Sequence, residues 1–107
     1  MMTQKRVYIA KKTDLQSNRP LSVDVEGVSV VIIEIADQYY AFENQCPHRT
    51  YPLSDGYLQD GAIVCPLHGR KYDLQTGGCL RPVGADSLNT YEVFEEGNDL
   101  YIDLDDE

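Results

Sequence analysis

Two short runs in the chain, CPHR at 46–49 and CPLHG at 65–69, repeat a combination of cysteine, proline and histidine. The chain has only two histidines and three cysteines. Four of these five residues fall inside the two runs: Cys46, His48, Cys65 and His68. Thiolate sulfur and imidazole nitrogen are soft to borderline ligands for transition metals. The spacing C-x-H-x16-C-x2-H therefore predicts a metal centre held by two similar loops, each restricted by a proline.

Three kinds of chemistry are compatible with this ligand set: a structural zinc ion, an iron–sulfur cluster and a cysteine–histidine nucleophile. Zinc sites with two cysteines and two histidines commonly take both cysteines from one loop and both histidines from the other. Each loop here offers one of each. A [2Fe–2S] cluster, with both thiolates on one iron and both imidazoles on the other, explains the doubled pattern better. A catalytic thiol needs an orienting third group and gives no reason for the repetition.

The length of 107 residues predicts a single domain, 1–107, and the apolar and charged fractions are those of a soluble globular protein. The N-terminal residues show no uninterrupted apolar run and no cleavage site, so we expect no signal peptide. The longest apolar run, Val30–Ala36, is too short to cross a bilayer and contains Glu34. The sequence therefore predicts a cytoplasmic protein, in which cysteines stay reduced and serve as ligands or redox groups.

The net charge of −9 argues against binding to nucleic acids and to anionic membranes, because both attract basic surfaces. The charge is unevenly distributed: residues 44–84 carry +1, whereas residues 85–107 carry −9. The acidic segment either solubilises the chain or orients it toward a protein partner. The bases of the middle segment are ordinary surface charges or docking residues, and they are Arg49, Arg70, Lys71 and Arg81.

The outer parts of the chain have the composition of β-strands. Runs rich in β-branched and aromatic residues predict strands at 6–12, 28–36, 39–43, 91–96 and 99–104, the last four forming two hairpins. The run at 28–36 is apolar on both faces, as in a central strand. Residues 44–84 contain four of the five prolines and six of the eight glycines. The sequence thus predicts an all-β antiparallel framework, sandwich-like or barrel-like, with a loop-rich subdomain at about 44–84 that carries the chemistry.

The segment Cys46–Gly77 resembles the cluster-binding segment of the Rieske [2Fe–2S] family, and a weaker similarity extends over nearly the whole chain. The paired C-P-H and C-P-L-H-G motifs at this separation are highly specific. The resemblance implies one [2Fe–2S] cluster, with Cys46 and Cys65 on one iron and His48 and His68 on the other. It also implies that the histidine-bound iron lies toward solvent and that electrons pass through the two imidazole edges.

Some positions depart from the high-potential members of that family. Those proteins have two further cysteines, which form a disulfide beside the cluster, where this chain has Tyr51 and Leu67. They also have a serine hydroxyl near a cluster sulfide where this chain has Arg70, although Tyr72 occupies the family's tyrosine position. Fewer hydrogen bonds to cluster sulfurs lower the reduction potential. The resemblance therefore implies a potential near the low end of the Rieske range, about −150 mV.

Other residues near the predicted ligands have expected roles. Gly69 is expected to let the chain turn close to the cluster. Pro82 belongs to GGCLRPV (77–83), which resembles the proline-containing loop that covers the cluster in this family. Arg49 is a candidate docking charge beside the first histidine. Cys79 has no partner in either metal scheme and is expected to be a small buried side chain.

The resemblance implies a stand-alone ferredoxin that carries one electron and is not itself an enzyme. The chain contains neither a G-x-G-x-x-G nicotinamide motif nor a further ligand set for mononuclear iron. It would take electrons from an NAD(P)H-dependent flavoprotein reductase, pass them to a terminal oxygenase and be a monomer when isolated. The alternative is the small Rieske subunit of an assimilatory NAD(P)H nitrite reductase, which would be bound to a large subunit. Such small subunits have a segment comparable to Leu88–Val93. A zinc-stabilised interaction module is the third hypothesis.

Overall fold

The computed structural model describes residues 3–46, 52–66, 69–81 and 83–106. Strands dominate these ranges: β1 (Thr3–Lys11), β2 (Leu21–Val25), β3 (Val28–Ile35), β4 (Gln38–Glu43), β5 (Tyr57–Gln59), β6 (Ala62–Val64), β7 (Lys71–Asp73), β8 (Cys79–Arg81), β9 (Thr90–Tyr91), β10 (Val93–Glu96) and β11 (Asp99–Asp106). The helical content of the same ranges is two 3-10 helices of three residues, Lys12–Asp14 and Leu53–Asp55. Neither of these short helices could span a membrane.

The strands form three antiparallel sheets. The first has the order β1-β11-β10, the second β2-β3-β4-β9 and the third β5-β6-β7-β8. The predicted all-β antiparallel framework is therefore confirmed. The strands of the third sheet lie between residues 57 and 81, inside the predicted loop-rich segment, and Cys65 directly follows β6 of this sheet.

The second sheet lies between two apolar cores because β3 has apolar side chains on both faces. Successive residues of a strand point to opposite faces. Val30 and Ile32 accordingly pack into a core with side chains of β1 and β11. Val31 and Ile33 pack into a second core, which contains both motif cysteines. All four side chains are fully buried, so the prediction of a central strand is confirmed. The strand β3 therefore contributes side chains both to the core with β1 and β11 and to the core that contains the cysteines.

The two predicted hairpins are present, with differences at their ends. The β3–β4 turn is formed by Ala36 and Asp37, one residue earlier than predicted, and both have positive φ, as short hairpin turns require. The predicted strand 91–96 is divided at Glu92. The part before Glu92, β9, pairs with β4, whereas the part after it, β10, pairs with β11. The chain therefore crosses from the second sheet to the first at this residue.

Candidate metal centre

The two motif cysteines lie in the same apolar core. Cys46 follows β4 by three residues, and Cys65 directly follows β6. Each is only 1% exposed, and the two cysteines do not form a disulfide. Leu53, Ile63 and Tyr72 are among the buried side chains of this core. The structure thus brings together two sulfur ligands that are separated in sequence, in a setting from which water is excluded.

Asn44 fixes the start of the first cysteine loop. Its side-chain amide nitrogen donates to the hydroxyls of Ser22 (3.4 Å), Ser29 (3.2 Å) and Ser54 (3.1 Å). Its side-chain oxygen accepts a hydrogen bond from the Ser54 N–H at 2.9 Å, and its own N–H donates to the Ser29 carbonyl at 2.9 Å. One side chain therefore ties the loop, two residues before Cys46, to two strands of the second sheet and to the helix Leu53–Asp55. This role of Asn44 is not predicted by any local pattern of the sequence.

Removing the Asn44 amide is expected to loosen the first cysteine loop. Asn44→Ala deletes the side-chain hydrogen bonds to three serines, at roughly 1 kcal/mol for each net bond, so we expect a loss of about 2–3 kcal/mol in unfolding free energy. The measurement is the urea midpoint by circular dichroism, with bleaching of the visible absorbance recorded in parallel. Asn98→Ala is the matched control, because Asn98 makes one exposed side-chain bond, to Thr13. Equal midpoints for the two variants would contradict the role of Asn44.

The second cysteine loop is closed by two backbone hydrogen bonds. The Cys65 N–H donates to the Arg70 carbonyl at 2.8 Å, and the Gly69 N–H donates to the Cys65 carbonyl at 3.0 Å. Gly69 has a φ of +70°, a left-handed conformation that glycine adopts without steric cost. The chain therefore leaves Cys65 and returns to the third sheet within five residues. This tight return explains the glycine that ends the CPLHG motif.

Tyr72 links the third sheet to the first cysteine. Its side chain is fully buried, and its hydroxyl oxygen lies 3.3 Å from the Cys46 sulfur. Burial, and to a smaller extent the contact with Cys46, raises the pKa of the Tyr72 hydroxyl above its ordinary value. The hydroxyl therefore keeps its proton at neutral pH. When Cys46 is a thiolate, Tyr72 is the donor in this contact.

Loss of the Tyr72 hydroxyl is expected to lower the reduction potential. A donor to a ligand sulfur stabilises the more negative, reduced state more than the oxidised state. If this difference is roughly 1 kcal/mol, Tyr72→Phe lowers a one-electron potential by about 40 mV. The measurement is protein-film voltammetry at neutral pH. Tyr8→Phe, in the exposed part of β1, is the control and should leave the potential unchanged. A Tyr72→Phe potential equal to that of the control would contradict the expectation.

Cys79 lies in the same core, where it pairs with Tyr72 across β7 and β8. It is buried, as expected from the sequence.

The remaining predicted site residues lie outside the described residues: His48, Arg49, Leu67, His68 and Pro82, together with Tyr51. Among the described ranges, no three His, Cys, Asp or Glu side chains are grouped as a metal site. The two sulfurs in the core are thus the described part of the predicted donor set.

The geometry defines a class of protein. A β framework buries two cysteine thiols, each beside a loop, and one of the two thiols contacts a tyrosine hydroxyl. A scan against family models matches residues 5–92 to the Rieske [2Fe-2S] domain. The chain therefore belongs to the Rieske [2Fe–2S] family. Two thiolate donors with a hydroxyl donor beside one of them suit an iron–sulfur cluster. The chain thus carries one Rieske-type [2Fe–2S] cluster, and the zinc hypothesis is wrong.

Relatives of known identity cover nearly the whole chain. The ferredoxin subunit of the 3-phenylpropionate/cinnamic acid dioxygenase of Escherichia coli K12 is 36% identical over 100 residues, which are 92% of this chain and 93% of that protein. The solved ferredoxin of carbazole 1,9a-dioxygenase from Nocardioides aromaticivorans IC177 is 28% identical, with a TM-score of 0.82 over 92% of this chain and 96% of that one. These relatives are electron-carrier components, and this chain likewise is an electron carrier rather than a catalyst.

A second group of relatives is also similar in structure. A protein described as the small subunit of an NADPH nitrite reductase is 26% identical, with a TM-score of 0.82 over 92% of this chain and 97% of that one. A solved complex of oxygenase and ferredoxin in carbazole 1,9a-dioxygenase contains a chain that is 26% identical, with a TM-score of 0.83 over 91% of each chain. The fold is thus shared by a protein described as a nitrite reductase small subunit and by a chain of an oxygenase–ferredoxin complex.

Proposed function

We propose that this chain, acting as one domain over residues 1–107, is the ferredoxin component of a multicomponent oxygenase. It takes electrons one at a time from an NAD(P)H-dependent flavoprotein reductase and delivers them to a terminal oxygenase. The observation that carries the proposal is the similarity to a dioxygenase ferredoxin subunit over 92% of the chain.

We further propose that Cys46 and Cys65 hold one iron and that His48 and His68 hold the other. The cluster, when bound, stores one electron. The surrounding residues have separate tasks. The apolar core excludes water from both sulfurs, the Tyr72 hydroxyl donates to the Cys46 sulfur, and Asn44 holds the first loop against the framework. Buried cysteines that form no disulfide suit a reducing compartment, so we propose that the protein acts in the cytoplasm.

The alternative, the small subunit of a nitrite reductase, is supported by the structural similarity described above. The two functions differ in how the chain associates with its acceptor. A ferredoxin meets its partners transiently and is a monomer when isolated, whereas a subunit remains bound to a large chain. The proposal for an oxygenase ferredoxin predicts monomeric behaviour at micromolar concentration and multiple turnovers per molecule.

The test is a turnover experiment with the purified chain. A flavoprotein ferredoxin reductase, NADH, the chain and the oxygenase component of the E. coli 3-phenylpropionate/cinnamic acid dioxygenase are mixed, and substrate hydroxylation is followed. We expect product formation that saturates with the concentration of the chain and is absent without it. Co-elution of the natively expressed chain with a nitrite reductase large subunit, without stimulation of the oxygenase, would favour the alternative.

A further inference from the structure

The strand β5 forms one edge of the third sheet. Among the described strands it pairs with β6 alone, and Leu58 at its centre lies opposite Ile63. Asp60 and Gly61 form the two-residue turn between the two strands, with φ of +52° and +77°. The residues that flank such a turn exchange hydrogen bonds, and the next pair along the strands does not. The N–H and C=O groups of Leu58 therefore point away from β6.

Hydrogen bonds on the other side of β6 agree with this alternation. The Leu74 N–H donates to the Gly61 carbonyl at 3.2 Å, and the Cys65 N–H donates to the Arg70 carbonyl at 2.8 Å. The main-chain groups of Gly61 and Cys65 thus point toward the side of β7, as do those of the residue midway between them. Among the described residues, no hydrogen bond outside the strand pairs involves the Leu58 main chain. The edge therefore offers one donor and one acceptor.

A groove of about 820 Å³ lies beside this edge. One wall is formed by residues between 54 and 61 and the other by residues between 14 and 21, and we call this space the edge groove. All three residues of β5 line it, whereas those of β6 do not. Tyr57, the first residue of β5, is 56% exposed. Sheet edges in soluble proteins are usually covered or charged, and a groove of this size is large enough to hold a ligand.

The wall opposite β5 is held in place by hydrogen bonds. The Asn18 N–H donates to the Glu34 carbonyl at 2.9 Å, and the Ser17 hydroxyl donates to the Glu34 carboxylate. The Arg19 N–H donates to the Gln16 carbonyl at 3.1 Å, and the Arg19 guanidinium donates to the Gln16 side-chain oxygen at 2.8 Å. The first two bonds tie the wall to β3, and the other two close its turn. A preformed groove loses less conformational entropy when it is occupied.

The charges around the edge groove favour a basic occupant from another protein. Its charged lining residues are two acids, Asp14 and Asp60, and one base, Arg19. The ion pairs found among the described residues include neither aspartate, and they compensate the other four bases of the N-terminal segment: Lys5, Arg6, Lys11 and Lys12. Two copies of a chain of net charge −9 repel each other, so a second copy does not suit the groove.

We propose that the edge groove binds an extended, basic segment of another protein, which adds to the third sheet as a strand beside β5. The Leu58 N–H and C=O pair with the main chain of this segment. Main-chain bonds provide the affinity of such an added strand, and its alternate side chains provide the selectivity. Asp14 and Asp60 attract the basic side chains of the segment.

The proposed site is separate from the function in electron transfer. The lining of the edge groove includes neither Cys46 nor Cys65. The proposal therefore leaves the implied exit of electrons through the His48 and His68 edges unchanged, and binding does not require a reduced cluster. A partner held at the edge groove leaves the histidine edges available for a second protein.

The test uses a fluorescein-labelled octapeptide of alternating valine and lysine as the probe, with the oxidised holoprotein. Fluorescence anisotropy gives the affinity, and hydrogen–deuterium exchange with mass spectrometry locates the contact. We expect saturable binding and at least about threefold slower exchange in the fragment that contains Leu58, because its N–H then bonds to the peptide. An octapeptide of alternating valine and glutamate should bind at least about tenfold more weakly. Unchanged exchange at Leu58, or tighter binding of the acidic peptide, would overturn the proposal.

A matched pair of variants distinguishes the edge groove from general attraction by the acidic chain. Tyr57→Lys places a positive charge in the groove and should weaken binding of the basic peptide at least about tenfold. Tyr8→Lys makes the same change at another exposed tyrosine, on β1, and should leave the affinity within about twofold. Equal affinities of the two variants would contradict the site. Slower exchange at Leu58 with rising protein concentration, without peptide, would show that a second copy is the occupant and would also overturn the proposal. Circular dichroism verifies the fold of each variant.

Discussion

Replacing Cys46 with serine is expected to eliminate the visible absorbance and the bound iron of the protein. The Cys46 side chain is 1% exposed and lies among apolar residues, so no solvent group can replace its sulfur as a ligand. A serine oxygen is a harder and much less acidic ligand than a thiol, and iron–sulfur clusters are held by thiolates. We expect less than about one tenth of the iron of the wild-type protein. The measurement is iron and sulfide content per chain after anaerobic purification.

The chain contains a matched control for this substitution. Cys79 is also buried in the core around Cys46, but we assign it no metal. Cys79→Ser should therefore retain the iron content and the visible spectrum, while the free energy of unfolding falls because a hydroxyl is buried in an apolar core. Cys65→Ser should behave as Cys46→Ser does. Loss of iron from Cys79→Ser, with full retention in Cys46→Ser, would show that the ligand assignment is wrong.

Replacing Gly56 with alanine is expected to destabilise the third sheet. A Cβ atom at this position would lie 2.2 Å from the Val64 carbonyl oxygen and 3.1 Å from the Leu53 carbonyl oxygen. Both are backbone atoms, so β6 or the helix Leu53–Asp55 must move to accommodate the methyl group. Overpacking of this kind costs about 1–3 kcal/mol, and we expect the upper part of that range because no flexible side chain can yield. The measurement is the urea midpoint by circular dichroism.

The strain at Gly56 should also reach the metal centre, because Val64 directly precedes Cys65. We therefore expect Gly56→Ala to lose its visible absorbance at lower urea concentration than the wild-type protein. Gly78→Ala is the control, since the nearest atom to its Cβ is the Thr76 side-chain oxygen at 3.3 Å. A Gly56→Ala variant as stable as Gly78→Ala would refute the steric argument.

Long strands could be predicted from local sequence, whereas several of the short ones could not. The alternation of Leu100, Ile102 and Leu104 and the double apolar face of β3 are local patterns, and the structure confirms both. The strands β5, β8 and β9 have only two or three residues. No period can be recognised in so few residues, and these segments are strands only because a partner strand lies beside them. The predicted strand 91–96 is likewise divided at Glu92 because its two parts pair with different strands, β4 and β11.

The strand β2 was missed for another reason. Leu21, Val23 and Val25 alternate with polar residues, which is a strand pattern, but the segment has only five residues. Its assignment depends on the long neighbouring strand β3, with which all five residues pair. The pattern is therefore present in the sequence and is recognisable in a window of five residues.

In the candidate site, too, features that depend on neighbouring residues could be predicted, whereas contacts between residues far apart in the sequence could not. The cysteine–histidine spacing predicted that two loops approach each other, and both thiols lie in one core. The role of Asn44 could not be predicted, because its partners Ser22, Ser29 and Ser54 are 22, 15 and 10 residues away. Only the folded arrangement shows that three serines surround one amide.

Pulsed electron paramagnetic resonance of the dithionite-reduced protein tests the central claim most directly. The account assigns one cluster to two thiolates, Cys46 and Cys65, and two imidazoles, His48 and His68. It predicts a reduced-state signal with an average g below the free-electron value and with strong coupling to two imidazole nitrogens. A signal without such nitrogen couplings would mean that the cluster is held by other ligands, and a protein with no signal at all would contradict electron transfer as its function.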